Sequence, residues 1–570
     1  MNTKRNVFLI VNIPTHVRVL LGIADLLRAS GEYVPHLVYF PADVFEQNHE
    51  KCAESGHSSL VWRGGDFVKA EFGVKPAAGV PVASKLVTSM PRFLYVILKP
   101  LLGPAVRRIY PNVHEYIYIP IRRLSLSLLS KTAKSIEFAR GYWREVRVLQ
   151  RDSTLGSDEQ SQNRAKRIFL AAFARAWDAE PMRKPAESRT AFWSRRLLEE
   201  GVFPGIGAQK RFYRAMSQLL DQFEPTQIIF PEENLFYFHH LWVHAARSRN
   251  VSTAIVPFTI VNSLEWAEAF SNLPEFQANR GWNRLLAKAF PDWVLHHRGR
   301  RLVLPSTYAA GCEHLGMKFD RPWVINSGPI EVLCSESRLM SEYYRKAGIR
   351  DEKIVLTGTL SDDRLFSILK DRFAHRNALA QRLGRDVSGK VILIGLPPDQ
   401  FVGKRRAGCE FDRYDDLITF MVSECKKQLS LHGGTLLISL HPRINPVDVA
   451  YLENLGAVIV TEPVENLVPL SDVYIAVASA TIRLAISCGI PVINYDAYQY
   501  YYDDYIDFAG VKEVRTRDAY VAALEACFQV GNYEKMQKEQ QETAHGLCDM
   551  DGKAGQRLLD TLTKTAQRGK

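Results

Sequence analysis

Pro231-Glu232-Glu233-Asn234 lies between an apolar run at 227–230 and a helical pattern downstream. Two carboxylates therefore stand where a strand gives way to a helix. A carboxylate in that place can take a proton from a hydroxyl or attack an electrophilic carbon. Adjacent side chains do not face one point, so one of Glu232 and Glu233 is expected to react while the other supports it. Acids also suit a helix N-terminus without any chemistry, because of the helix dipole. A second group, His441-Pro442-Arg443, follows the apolar run 436–440. The imidazole can donate to a phosphate, the proline fixes the turn, and the guanidinium adds a cation for phosphate or carboxylate. A third, Ser479-Ala480-Thr481, precedes a helical stretch at 482–488. Small hydroxyl residues there either cap the helix or open its amides to an anion.

Weaker candidates surround these. Gly395 and Gln400 lie on the run Gly395-Leu396-Pro397-Pro398-Asp399-Gln400 after a strong apolar strand, and Lys404-Arg405-Arg406 follows. That loop suits donor contact through Gly395 and Gln400 and acceptor contact through Lys404, or it is a plain surface loop. Glu465 begins a helix and could meet a ribose. Asn234 could meet an acceptor. The tyrosine-rich run 498–502 reads as packing, and the Asp503-Asp504 pair after it is a poor metal motif.

The elements that must position these residues follow from hydrophobic patterning. Residues 6–12 read as a strand, 16–30 as a helix and 33–40 as a strand, a βαβ opening that leads to a parallel sheet. From about 75 to 215 strand signals fade and the chain reads as a helical insertion. Strands return at 227–231 and 253–257, with a helix at 236–249 between them. A second alternating series begins near 331. Its strands are 332–334, 353–356, 390–395, 436–440, 458–461, 473–476 and 492–495, and a helix at 335–347 ends at Gly348. The expected fold class is α/β, with two Rossmann-like doubly wound domains. The boundaries are 1–328 with the insertion, 329–530, and a helical segment 531–570 that returns to the first domain. Ligands in such sheets bind at the carboxyl ends of strands, so all three groups lie where a ligand is expected, facing a shared cleft.

With 570 residues the chain is too long for one ordinary core. No stretch has the roughly 18 uninterrupted apolar residues of a membrane span. Residues 7–11 are too short for a signal peptide and read as the first strand. Eight cysteines without a CxxC pair argue against a disulfide framework and a structural zinc, and for a reducing cytoplasm. The net charge is +11, and residues 92–151 hold twelve Lys/Arg against three acids, interleaved with aromatic and aliphatic residues. Such a segment suits peripheral contact with an anionic membrane or a phosphorylated lipid acceptor, or is a solvated face of the insertion. No nucleic-acid module signature is present.

The order of acid pair, His-Pro and downstream Ser/Thr motif resembles the bacterial sialyltransferase-like group of GT-B glycosyltransferases. It is similar also to the retaining β-Kdo transferases of capsule and O-antigen synthesis. The resemblance covers about 227–494. It implies that Glu232 is the catalytic carboxylate, with Glu233 as the fallback, and that His441, Ser479 and Thr481 hold the CMP phosphate. It further implies a CMP-activated ulosonic acid as donor and a saccharide or lipid-linked saccharide as acceptor; with the cysteine usage and the basic segment, the expected place is the cytoplasm, with peripheral contact at the inner membrane as one reading of that segment. No metal or other cofactor is expected, since a CMP-sugar carries a single phosphate. Asn234 stands where that group has glycine, which weakens the inverting sialyltransferase match and leaves room for the Kdo branch. A sialyltransferase and a CDP-glycerol or UDP-sugar transferase are alternatives on the same fold. The alternative from another class is a non-catalytic scaffold subunit at the membrane.

Overall fold

The structure is a computed structural model. It describes residues 4–63, 66–69, 159–178, 188, 192, 203–258, 266–267, 270–387, 389–401, 408–441, 444–502, 505, 508–547 and 549–568. The basic segment 92–151, most of the insertion, and Lys404, Pro442, Arg443, Asp503 and Asp504 lie outside the described residues.

The chain divides into two compact units. One comprises Met1–Leu333, Ala347–Lys353 and Thr565–Lys570, the other Cys334–Lys346 and Ile354–Lys564. The first unit is built on β1 (Arg5–Val11), β2 (Tyr33–Tyr39), β3 (Ser58–Trp62), β4 (Phe67–Lys69), β5 (Gln227–Phe230) and β6 (Ser252–Ile255). A hairpin of β7 (Val294–His297) and β8 (Arg300–Val303) stands apart, and β9 (Val332–Ser335) closes the series. Among the strands of this unit the order across the sheet is β9-β6-β5-β1-β2-β3-β4, with all these neighbours parallel except β3 and β4. A parallel sheet covered on both faces needs continuous apolar strands. Accordingly Val7, Phe8, Leu9, Ile10 and Val11 of β1 are all fully buried. Each such side chain contributes about 1.5–3 kcal/mol relative to exposure.

Helix Pro14–Ala29 returns the chain from β1 to β2. Its proline occupies the first helical turn, where a missing N–H costs nothing. It buries His16, Val17, Leu20, Ile23, Ala24 and Leu27 along one stripe. Two helices of the expected insertion are described, Glu159–Asp178 and Ile206–Phe223. They put Phe169, Phe173 and Ile206 into a core with Leu286, Trp293 and Leu302.

The second unit contains β10 (Ile354–Leu356), β11 (Val391–Gly395), β12 (Thr435–Ser439), β13 (Val458–Val460), β14 (Val473–Ala476), β15 (Val492–Tyr495) and β16 (Val511–Val514). Its main sheet is parallel throughout, in the order β13-β12-β11-β14-β15-β16. The α/β reading with two doubly wound parallel sheets holds. Four details differ from the sequence reading. Strands β3, β4, β16 and the β7–β8 hairpin were not expected; each is short, and the hairpin turns at Arg298-Gly299, both with positive φ. The helix expected over 236–249 is a short 3-10 turn, Leu235–Tyr237, then a helix His239–Arg247, because Phe238 adopts the left-handed conformation at φ 60°. The last segment is two helices, Val530–Leu547 and Ala554–Arg568, parted by Gly552 at φ 71°. The helix expected over 335–347 is shorter, Arg338–Lys346. Among the described residues no helix is long and apolar enough to cross a membrane.

Candidate functional site

Each sheet has a switch point where the chain reverses its direction of travel across the strands. In the first unit the strands run from β1 outward through β2 and β3, then restart at β5 and run the other way through β6 and β9. The crevice between the carboxyl ends of β1 and β5 is therefore the expected ligand position. Residue Asn12 follows β1, and Glu232, Glu233 and Asn234 follow β5.

The two glutamates have different surroundings. Glu233 is 1% exposed. Its Oε2 lies 2.9 Å from Lys353 Nζ, and its Oε1 accepts the Ile330 N–H at 3.0 Å. Lys353 is buried as well and donates to the carbonyls of Asn326 (2.6 Å) and Gly328 (2.9 Å). Burial pulls the Lys353 ammonium below its usual range, and Glu233 pulls it back. The Glu233 N–H donates to Asn326 Oδ1 at 2.7 Å. At Gly328 a Cβ would stand 2.5 Å from Glu233 Oε1, so the glycine is what lets this backbone approach the carboxylate. Glu233 is thus the anion of a buried, fully bonded pair.

Glu232 is 6% exposed, and its Oε1 accepts from Asn234 Nδ2 at 2.9 Å. Asn234 in turn caps the 3-10 turn, its Oδ1 accepting the Phe236 N–H at 2.9 Å. The Asn234 N–H donates to His239 Nδ1 at 3.0 Å, and His239 Nε2 meets Asn12 Oδ1 at 3.0 Å. With Nδ1 accepting, the imidazole proton is on Nε2, and it points to Asn12. Asn12 Nδ2 donates to the Phe40 carbonyl at 3.0 Å, and its N–H to His16 Nδ1 at 3.3 Å. Burial holds both imidazoles neutral: His16 is pushed down to about 3, and His239 far below its usual range. The Tyr237 phenol is pushed up to about 12 by burial and by the nearby Glu232 charge. The motif reading missed Asn12, His16 and His239. The rule applied to β5 would have found the first two, at the carboxyl end of β1.

In the second unit the chain runs from β11 through β12 to β13, then restarts at β14. The switch point lies between β11 and β14. Gly395 ends β11, and Ser479, Ala480 and Thr481 follow β14. Tyr474, buried on β14, joins them. Its hydroxyl is 2.6 Å from Thr481 Oγ1, which is 2.7 Å from Ser479 Oγ. A Cβ at Gly395 would collide with the Tyr474 hydroxyl. The turn itself is set by Ala478, at φ 44°, whose N–H donates to Asn494 Oδ1 at 2.9 Å. Thr481 does not cap helix Ile482–Ser487 with its side chain, since its own backbone is helical and its hydroxyl turns to Tyr474. Unlike the buried acid pair of the first unit, Ser479 and Thr481 are part-exposed and Ala480 is exposed.

His441 lies two residues beyond β12, the strand beside β11, and is partly exposed. The switch point thus gathers Gly395, Ser479, Ala480 and Thr481, with His441 one strand away. It does not gather Glu465, which is buried after β13, two strands from β11. Gln400 is exposed on the loop after β11. A further buried acid was not foreseen. Glu336, just after β9, accepts from Tyr344 Oη at 3.1 Å and is pushed up to about 7 by burial. Arg483, on the helix that follows Thr481, pairs with Asp362 at 3.2 Å and pulls Glu336 down in part.

No protein-family model matches this chain. No curated protein matches it either. Among solved structures it is similar to CalG4, the calicheamicin glycosyltransferase, at 9% identity and a TM-score of 0.45, with 99% of each chain covered. It is similar to a glycosyltransferase from Rickettsia africae ESF-5 at 8% identity and a TM-score of 0.42, again with 99% of each chain covered. UDP-GlcNAc 2-epimerase from Neisseria meningitidis, bound to UDP-GlcNAc, matches at 14% identity and a TM-score of 0.38, over 63% of this chain and 81% of that one.

Proposed function

We propose that this chain is a glycosyltransferase that moves an ulosonic acid, Kdo or a related sugar, from a CMP-activated donor to a saccharide acceptor. The observation that carries the reading is the pair of switch points. The first unit puts an oriented carboxylate, Glu232, at its crevice, and the second puts hydroxyls and an exposed turn at its own. Carboxylate and anion site are the two things transfer from a nucleotide-sugar requires.

In this reading Ser479, Thr481 and the amides beside them hold the CMP phosphate, with His441 donating to the departing charge. Glu232 acts in one of two ways. As nucleophile it forms a C–O bond to the anomeric carbon while the bond to CMP breaks and its electron pair leaves with the phosphate; the acceptor hydroxyl then displaces the carboxylate and loses its proton to the departed phosphate or to solvent. As base it takes the acceptor's proton while the acceptor oxygen displaces CMP. The anomeric configuration of the product separates the two. The basic segment 92–151 would hold the enzyme at an anionic membrane surface on the cytoplasmic side.

The test is thermal-shift binding with CMP, CDP, UDP, GDP and ADP. A ligand that binds only the folded chain at 100 times its Kd adds about 2.7 kcal/mol. CMP is expected to raise the midpoint selectively, the shift being lost in Thr481→Ala and kept in Glu232→Ala. Glu232→Ala is expected to abolish transfer. Stabilisation by UDP in place of CMP would overturn the donor, and full turnover by Glu232→Ala would overturn the role of the carboxylate.

A further inference from the structure

Asn234 stands two residues beyond the start of the acid pair, with both ends of its side chain engaged. Its Oδ1 takes the Phe236 N–H at 2.9 Å. That bond fixes the amide's orientation, because an N–H needs an acceptor. Nδ2 must then face Glu232, which it does at 2.9 Å. The backbone of Asn234 is held from the other side, its N–H on His239 Nδ1 and His239 Nε2 on Asn12 Oδ1, each at 3.0 Å. Glu232, Asn234, His239 and Asn12 are all buried. The carboxylate is therefore tied through three hydrogen bonds to the end of β1, a strand more than 200 residues away in sequence.

We infer that Asn234 is a positioning residue: it fixes the Glu232 carboxylate through Oε1, and Asn12 and His239 fix Asn234. This rests on the reading of Glu232 as the reacting group. It assigns the asparagine a task that a glycine could not perform. A buried polar group whose every hydrogen bond is made holds one geometry, and a misplaced reacting group loses rate steeply. An amide N–H given to a carboxylate also favours its charged form. Among the described residues, the groups that face Glu232 include Asn234, the Tyr237 phenol and the neutral His239. The Glu233–Lys353 pair follows along the chain.

Three substitutions separate positioning from capping. Asn234→Asp keeps an acceptor for the Phe236 N–H but replaces the donor to Glu232 with a second carboxylate. Asn234→Ser keeps a good cap and is too short to reach Glu232. Glu232→Gln identifies the carboxyl signal. The first readout needs no ligand: isotope-edited infrared titration of the carboxyls, with Glu232→Gln subtracted. Two carboxylates at hydrogen-bond distance share a proton, so the midpoint in Asn234→Asp should rise by about one pH unit or more. An unmoved midpoint would overturn the inference. The second readout is transfer from a CMP-linked ulosonic acid. Both Asn234 variants should lose about tenfold or more in kcat with KM nearly unchanged, and only Asn234→Asp should move the acid limb of the pH profile upward. Unchanged kcat in Asn234→Ser would overturn the inference even if Glu232→Gln is inactive. Full transfer by Glu232→Gln would instead overturn the functional reading, and the infrared result would stand apart from it.

Discussion

The two switch points do similar topological work with opposite materials. That of the first sheet is buried and ionic: Glu232, Glu233, Asn234, His16 and His239 are all buried, and a lysine is buried with them. That of the second is made from small residues, two hydroxyls and a left-handed alanine, and part of it is exposed. On the function proposed above the difference has a use: a carboxylate that is to react at one angle has to be held, which takes a network, and an anion site has to leave its donors open, which takes a turn and little else.

The sharpest break in the comparison is made inside the acid pair. Glu233 is balanced by Lys353, whereas Glu232 is held by an amide. Lys353→Met strips the cation from a buried carboxylate, and such a loss costs about 3–5 kcal/mol. Hydrogen exchange should show it as lost protection in β1, β5 and β6, with the strands of the second sheet unaffected. Adding Glu233→Gln should recover much of the loss, because a neutral amide does not need the ammonium. If Lys353→Met is as stable as the parent chain, the pair is not the buried ion pair described.

A second, smaller contrast lies in pH. In the first unit His16 and His240 are pushed down to about 3 and His36 to about 4, all from 6.5, chiefly by burial. Below 6.5 the unfolded chain binds protons that the folded unit refuses. Stability therefore falls as pH falls through that window, by up to about 1.4 kcal/mol per pH unit for each such group. In the second unit Glu336 is pushed up to about 7 from 4.5. Between those values the folded unit keeps a proton that the unfolded chain gives up. Its contribution thus rises as pH falls from 7 to 4.5. Exchange protection corrected for intrinsic rates, followed from pH 7.5 to 5, should decline in β1 and β5. In β11 and β14 the Glu336 part should run the other way, and Glu336→Gln should abolish it. Parallel decline in both units, with no effect of Glu336→Gln, would erase the contrast.

What the sequence made legible was the part written locally. The apolar runs of β1, β5, β11, β12, β14 and β15 are near-continuous, as buried parallel strands must be. The motif turns follow three of them directly. What could not be read was which partner each motif residue meets. Glu233 and Lys353 are 120 residues apart, and His239 and Asn12 are 227 apart. Nothing in Pro231-Glu232-Glu233-Asn234 distinguishes the acid that a distant lysine neutralises from the acid that stays at the crevice. Tyr474 reads as one more core residue of an apolar strand, and that its hydroxyl meets Thr481, seven residues on, emerges only once the chain turns back at Ala478.

That tyrosine gives the smallest of the expected effects and the finest test of how the second switch point is built. Tyr474→Phe removes a hydroxyl that meets Thr481 Oγ1 at 2.6 Å, and burial pushes that phenol up to about 12, so it is neutral and available as a donor. Thr481 keeps Ser479 as a partner. The net loss should therefore be that of one neutral hydrogen bond, about 0.5–1.5 kcal/mol. It should appear as a small fall in the unliganded midpoint, about 2–4 °C per kcal/mol for a unit of this size. Gly395→Ala should do more in the parent chain, because the new methyl meets the same hydroxyl, and overpacking costs about 1–3 kcal/mol. In the Tyr474→Phe background most of that cost should vanish, leaving a coupling of about 1 kcal/mol between the two sites. Additive effects would mean that Gly395 and Thr481 are not joined through Tyr474. The second site would then be a bare turn, with no hydroxyl relay behind it to match the amide relay behind Glu232.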